Sequence, residues 1–346
     1  MADIHIRREG RAGRITLARP KALNALSYEM CLAIDTALRT WRDDDRVALV
    51  LIDAEGDKAF CAGGDIAEMY ATGTAGDYTY GRRFWADEYR MNACLAEYTK
   101  PVVSLLQGFT MGGGVGVGCH ASHRVVGQSS QIAMPECGIG LVPDVGGSYL
   151  LARAPGGMGA YLGMTGARMG PGDAIRAGFA DIYIEEQAWA DVKSALVATG
   201  DVRALEGTAA PDTRFADQQA TIDAAFGAST PQAVEEVLQA DGSDFATQAL
   251  TALRRAAPLS VACTHAMLRN LADTATIRDA LAQEYRFTWR AMAQADFLEG
   301  IRAAIIDKDR SPNWRHARLE DVTEGEIAAM LASLGPDELS FEEESK

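Results

Sequence analysis

The sequence predicts an α/β protein, and three observations carry that prediction. The runs Val47–Ile52 and Val102–Leu106 are continuously apolar, as strands buried on both faces are. Elsewhere apolar residues recur three to four apart, the pattern of amphipathic helices. The two kinds of segment alternate along the first half of the chain, which implies parallel strands joined by right-handed crossovers. With 346 residues there is ample length to bury a core without staples.

The elements follow in order. Ile4 and Ile6, then Ile15 and Leu17, alternate across a Gly-bearing turn, so the chain opens with a β-hairpin. Ser27 is placed to cap a helix carrying Met30, Ile34, Leu38 and Trp41, and Asp43-Asp44-Asp45 ends it. The strand Val47–Ile52 comes next. Pro101 opens the strand of Val102–Leu106, which runs into Gly108 and Met111-Gly112-Gly113-Gly114, and a third apolar piece lies at His123–Gly127. Beyond about residue 185 Ala-rich helical stretches dominate: Trp189–Val197, Ala246–Arg255, Ala280–Ala293 and Gly325–Leu334. The division expected is a core over 1–185 and a helical region over 186–346 that completes the pocket. Glu206–Thr230 is polar and punctuated by Gly and Pro, so it reads as a loop or linker. The tail Phe341–Lys346, with three consecutive glutamates, reads as frayed.

Composition removes several function classes. Acidic residues outnumber basic ones by 48 to 33, a net charge of −15. That argues against nucleic-acid binding, which needs a basic surface. The six cysteines are scattered without a C-x-x-C pair and read as reduced thiols. Met1–His5 shows neither an apolar h-region nor a basic leader, so the expectation is cytoplasmic. Pro101–Cys119 contains Gln107 and six glycines, a poor lipid-spanning helix, so no membrane role is expected. His120 and His123 beside Cys119 read as a packed or solvated pair, and no metal is expected. Phosphate loop, dinucleotide fingerprint, nucleophile elbow and H-E-x-x-H motif are all missing.

Two glycine clusters remain, Ala59–Ile66 and Gly108–Gly114, each after a buried strand. Gly63-Gly64 ahead of Asp65 suits a helix start, with Asp65 as its cap. Glycine lets backbone N–H groups approach a ligand closely, and two such turns on neighbouring strands could aim two amides at one oxygen. Close helix packing is the competing reading of the same glycines.

These stretches, with Arg19–Leu26, Lys58–Tyr70, Pro101–Gly118 and Ala133–Gly147, resemble the crotonase (enoyl-CoA hydratase/isomerase) superfamily. The segment from Asp296 through Asp307-Lys308-Asp309 to Trp314 is similar to its 3-hydroxyisobutyryl-CoA hydrolase branch. The likeness spans residues from about 4 to 315. It implies a crotonase-like (ClpP/crotonase) α/β fold of stacked ββα units with a helical C-terminal region. It implies an acyl-CoA substrate whose thioester oxygen is held by the amides of Gly64 and Gly113. Glu136 and Asp144 then fall at the catalytic carboxylates, and Glu88 at a substrate contact. Asp65, Ile66, Ala62, Asn24 and Lys58 would line the acyl-CoA channel, and Lys21, Arg82 and Arg83 join Lys58 as candidates for the coenzyme A phosphates. No cofactor is implied beyond coenzyme A within the substrate, and a homo-oligomer is expected. Similar hydratases carry a glutamate where this chain has Gly116. Adding water across a double bond needs two carboxylates bracketing one water, so thioester hydrolysis fits better. The competing readings are a hydratase or isomerase using Glu136 alone and a silent acyl-CoA-binding member.

Overall fold

The computed structural model describes residues 2–271 and 273–341. The acidic tail at 342–346 lies outside the described residues. Two compact units emerge from the packing, neither a continuous stretch of chain. The first comprises residues 1–65, 91–133 and 168–216, and the second comprises 66–90, 134–167 and 217–346. This differs from a single division at residue 185. Helix Trp189–Thr199 puts Trp189 and Leu196 into the same core as Leu49, Leu51, Val103, Leu105 and Val125, so apolar burial ties it to the first unit. Residues 134–167 group instead with the later helices.

The first unit is built on two sheets. Strands β1 (Ile4–Glu9) and β2 (Ala12–Leu17) form the expected antiparallel hairpin. Helix Tyr28–Arg42 follows, and the Ser27 side chain accepts from the Met30 N–H at 3.2 Å, so the predicted cap is made. Met30, Ile34, Leu38 and Trp41 are all buried. The apolar run at Val47 yields β3 (Leu49–Ala54), followed by the short β4 (Ala59–Cys61). The pattern repeats as β5 (Val102–Leu105) and β6 (Phe109–Met111), then as β7 (His123–Val126) and β8 (Gln131–Ala133), before β9 (Ile182–Tyr183). The larger sheet has the order β1-β2-β3-β5-β7-β9, parallel from β2 onward, and β4-β6-β8 form a second, parallel sheet. Each turn of the chain thus contributes one strand to each sheet, which is the stacked ββα arrangement expected. The loops that follow β4, β6 and β8 carry Gly64, Gly113 and Glu136 in that order.

The second unit is helical. Asp244–Arg255, Ile277–Gln294 and Glu324–Leu331 match three predicted helices within a few residues. The polar segment 206–230 is not wholly a loop. Gln219–Phe226 is a helix burying Ile222, Ala225 and Phe226, and the Phe226 ring meets Tyr161 at 5.2 Å. Three apolar residues on one face suffice to dock so short a helix, although the surrounding polarity hides it.

Candidate active site

Both glycine turns belong to the first unit. Strands β4 and β6 are parallel neighbours, so their following turns leave from the same end. Gly112 has φ 48° and ψ −121°, a conformation that side chains disfavour. At Gly114 a Cβ would stand 2.1 Å from the Cys61 carbonyl oxygen, so helix Gly113–Gly118 reaches β4 only because that atom is missing. The Leu26 N–H donates to the Gly63 carbonyl at 2.9 Å and the Asp65 N–H to the Leu26 carbonyl at 2.8 Å. This alternation turns the Gly64 N–H away from Leu26. Val115 and Gly116 both donate to the Gly112 carbonyl, and Gly113, as first residue of its helix, has no partner within it. Among the described residues neither the Gly64 nor the Gly113 N–H has an acceptor. Two unspent donors at the ends of adjacent strands are what an oxyanion pair needs.

The residues around the first turn divide by role. The Asn24 amide is buried and spent on backbone: its oxygen accepts from the Arg19 N–H, and its nitrogen donates to the Glu55 and Ala59 carbonyls. It fastens the Arg19–Leu26 loop to β4. Asp65 does not cap the following helix, whose N-cap is Ile66 without a side-chain bond. Its carboxylate takes the Arg19 guanidinium at 2.9 Å instead, because that partner carries a full charge. The Ala62 N–H donates to the Leu23 carbonyl, Ile66 is half-buried, and the Lys58 side chain is exposed.

The buried acids belong to the second unit. Glu136 opens a short 3-10 helix, Glu136–Ile139, and Asp144 lies in the loop before helix Gly147–Leu151. Glu88 and Tyr89 sit on helix Thr79–Ala96, and Glu284 on helix Ile277–Gln294. All are buried, Glu136, Asp144 and Glu88 each 4% exposed and Glu284 fully enclosed. The Tyr89 hydroxyl donates to Asp144 Oδ2 at 2.8 Å and lies 3.4 Å from Thr288 Oγ1. Glu284 accepts from the Gly146 N–H at 2.8 Å, the Ser148 N–H at 3.0 Å and the Ser148 hydroxyl. One oxygen each of Glu136 and Glu88 is buried without a hydrogen-bond partner. Such groups are rare in native proteins and mark places where a ligand completes the bonding.

Electrostatics follow from burial. Loss of water pushes the Asp144 carboxyl up to about 7, against the Tyr89 hydrogen bond. Glu136 is raised well above the ordinary range by burial and then by Asp144, with Glu284 adding to it. Glu88 is raised by burial and by Asp144. Burial also lifts Glu284, opposed by its donors from Ser148 and Gly146. So many neighbouring acids cannot all ionise, and protons are shared among them. A cluster with one acid titrating near neutrality can both give and take a proton.

Tyr89, Ser148, Glu284 and Thr288 escaped the sequence reading. Glu284 had a readable signal. It stands in register with Ile277, Ala280, Leu281, Thr288 and Ala291, so it is an acid on the buried stripe of its helix. Of the candidate phosphate partners, Arg82 is taken up by Trp289, over whose ring it stacks at 3.5 Å, while Lys21 is exposed and Arg83 approaches Asp87 at 3.9 Å. The late Asp307 and Asp309 both bind Arg302, which also holds Glu299. Gly116 is a buried helical glycine, so no second carboxylate stands at that position. All six cysteines are buried and none is in a disulfide. Among the described residues no group of three or more His, Cys, Asp or Glu is arranged to hold a metal, and no helix is long and apolar enough to cross a membrane.

The family model for enoyl-CoA hydratase/isomerase matches residues 12–331. Mitochondrial 3-hydroxyisobutyryl-CoA hydrolases from Gallus gallus and Rattus norvegicus are 37% and 39% identical, covering 98% of this chain and 91% of each relative. The crystal structure of an enoyl-CoA hydratase from Rhodobacter sphaeroides 2.4.1 superposes with a TM-score of 0.96 at 59% identity, covering 98% of this chain and all of that one. A carnitinyl-CoA dehydratase from Mycobacterium thermoresistibile superposes at 0.95 with 39% identity, over 99% of this chain and all of that one.

Proposed function

The chain belongs to the enoyl-CoA hydratase/isomerase family, and from that premise we propose that it hydrolyses 3-hydroxyisobutyryl-CoA to 3-hydroxyisobutyrate and coenzyme A. One observation carries the choice of hydrolysis over hydration: Glu136 stands in a buried acid cluster with Asp144, while Gly116 occupies the place of the second hydratase carboxylate. The structural relatives named for hydratase and dehydratase activity share the fold, but a fold does not choose between reactions of one substrate class.

In this reading the Gly64 and Gly113 amides hold the thioester oxygen as negative charge builds on it. Losing one such donor typically costs about 10²–10³ in rate. The Glu136 carboxylate delivers the attack on the acyl carbon, directly or through water. Water supplies OH to the acyl carbon and a proton to the sulfur, and the C–S bond breaks. Asp144, with its pKa near neutrality, binds the substrate's β-hydroxyl and moves the proton. Glu88 lines the acyl pocket, with Ala62, Asp65 and Ile66 shaping the channel and Lys58 meeting a phosphate. Asn24 serves by fixing the loop. The reaction is redox-neutral and calls on no metal or further cofactor.

The proposal places the enzyme in valine breakdown, as a homo-oligomer in the cytoplasm; the curated relatives are named as mitochondrial. Imaging of a fluorescent fusion of the native chain decides the compartment, and sedimentation decides the assembly. The activity is tested by following free thiol from 3-hydroxyisobutyryl-CoA. Steady release is expected, with little hydration of crotonyl-CoA. Robust hydration without thiol release would overturn the reading in favour of a hydratase.

A further inference from the structure

We propose that Glu284 is a positioning residue, which holds the Asp144 loop in its working conformation from outside by gripping both sides of Gly147. The inference rests on the reading of Asp144 given above, and its evidence is geometric. Residues 143–148 take an uncommon path: Val145 has φ 53° and Gly146 φ 77°, two consecutive left-handed residues directly after Asp144. A branched side chain disfavours that conformation, so the loop needs an external hold. Glu284 supplies it from a different helix, 138 residues further along. One carboxylate oxygen accepts from the Gly146 N–H, the other from the Ser148 N–H and hydroxyl. The short helix Gly147–Leu151 has no side-chain cap of its own at Gly146, so Glu284 fills that place.

All three partners donate, which is the environment of an ionised carboxylate. Burial works against that and lifts Glu284 to about 8, so near neutrality it shares protons with the acids beside it. The titratable groups facing that cluster are Glu88 and Tyr89 from helix Thr79–Ala96, and Glu136 and Asp144 from the segment before helix Gly147–Leu151. From the other side Tyr89 and Thr288 complete the hold on Asp144, through the Tyr89 hydroxyl. The position of Asp144 is thus set by Tyr89 at its carboxylate and by Glu284 at its backbone.

Glu284→Gln keeps the shape but replaces one acceptor by an NH2 group, which would face a donor on whichever arm it occupied. A displaced catalytic group of about 1 Å can lower turnover on the order of 10²-fold. We expect kcat for 3-hydroxyisobutyryl-CoA to fall by that order in Glu284→Gln, with KM within about twofold of the parent. Ser148→Ala keeps the Glu284 carboxyl and both amide bonds, so only a several-fold loss of kcat is expected. A crystal structure of Glu284→Gln should show the 143–148 loop displaced and the Tyr89–Asp144 bond broken. A folded Glu284→Gln with the parent's kcat, or with the loop unmoved, overturns the proposal. A parent that releases no thiol overturns the hydrolase reading instead, and the loop position in the variant still decides the role of Glu284.

Discussion

The glycine turns of the first unit and the acid cluster of the second are built from different materials. The turns offer main-chain N–H groups, and their precision comes from two sheets in register and from a glycine packed where a Cβ would strike the Cys61 carbonyl. The cluster offers side chains whose useful property is a shifted proton affinity, produced by burial of several acids together. A backbone device is lost only by distorting the chain, whereas a side-chain device is lost atom by atom. Substitutions at the two halves should therefore fail in different ways.

The sharpest test of that contrast is Glu136→Gln. It removes the carboxylate proposed to attack, without changing shape, and a fall in kcat of about 10³-fold or more is expected with an unchanged fold. Single-turnover thiol release measures it, and a variant as active as the parent would take the carboxylate out of the chemistry. Gly114→Ala is the counterpart in the backbone half. Its new methyl group meets main chain rather than a movable side chain. The expectation is a destabilisation of about 2–4 kcal/mol together with a 10- to 100-fold loss of kcat. Chemical denaturation and kinetics measured on the same preparation check whether the two losses travel together. A Gly114→Ala protein of parental stability would break the claim that close approach, not chance, placed glycine there.

The third test separates the halves by pH. Asp144, Glu136 and Glu88 have pKa values raised on folding, so the native state binds protons more tightly than the unfolded chain. Stability therefore falls as pH climbs from the ordinary carboxylate range through the raised native values, the window for Asp144 running from about 4 to about 7. Calorimetry should find a melting temperature about 5 °C lower at pH 8 than at pH 5.5. Asp144→Asn should flatten that slope, and Gly114→Ala should leave it parallel to the parent. The smallest effect is set by Ser27→Ala, which removes only the side-chain cap of helix Tyr28–Arg42 and no atom of either half. A loss of about 1 kcal/mol with unchanged kcat is expected, and a larger fall in kcat would mean that stability rather than chemistry dominates the assays.

Much of the first unit was legible because local chemistry specified it. Alternation announced the hairpin, Ser27 announced its helix, and unbroken apolar runs announced β3 and β5. The glycine turns could be found for the same reason, since glycine at a sharp exit from a strand is visible in one dimension. Asp65 went elsewhere because a charged partner, Arg19, outcompeted the helix end. The helix at Gln219–Phe226 was hidden because three buried residues are too few to raise a periodic signal above a polar background.

The sequence by itself determined where glycine turns follow the strands, and the resemblance singled out which amides and which acids matter. Only the tertiary structure decided that Tyr89 would bond Asp144 and that Glu284 would close on Gly146 and Ser148. Propensity, capping and periodicity act between residues a few positions apart, so they can be read along the chain. Proton affinity and loop position depend on what is buried beside what, and residues 55 and 138 positions apart become neighbours only when the apolar faces of their helices have packed.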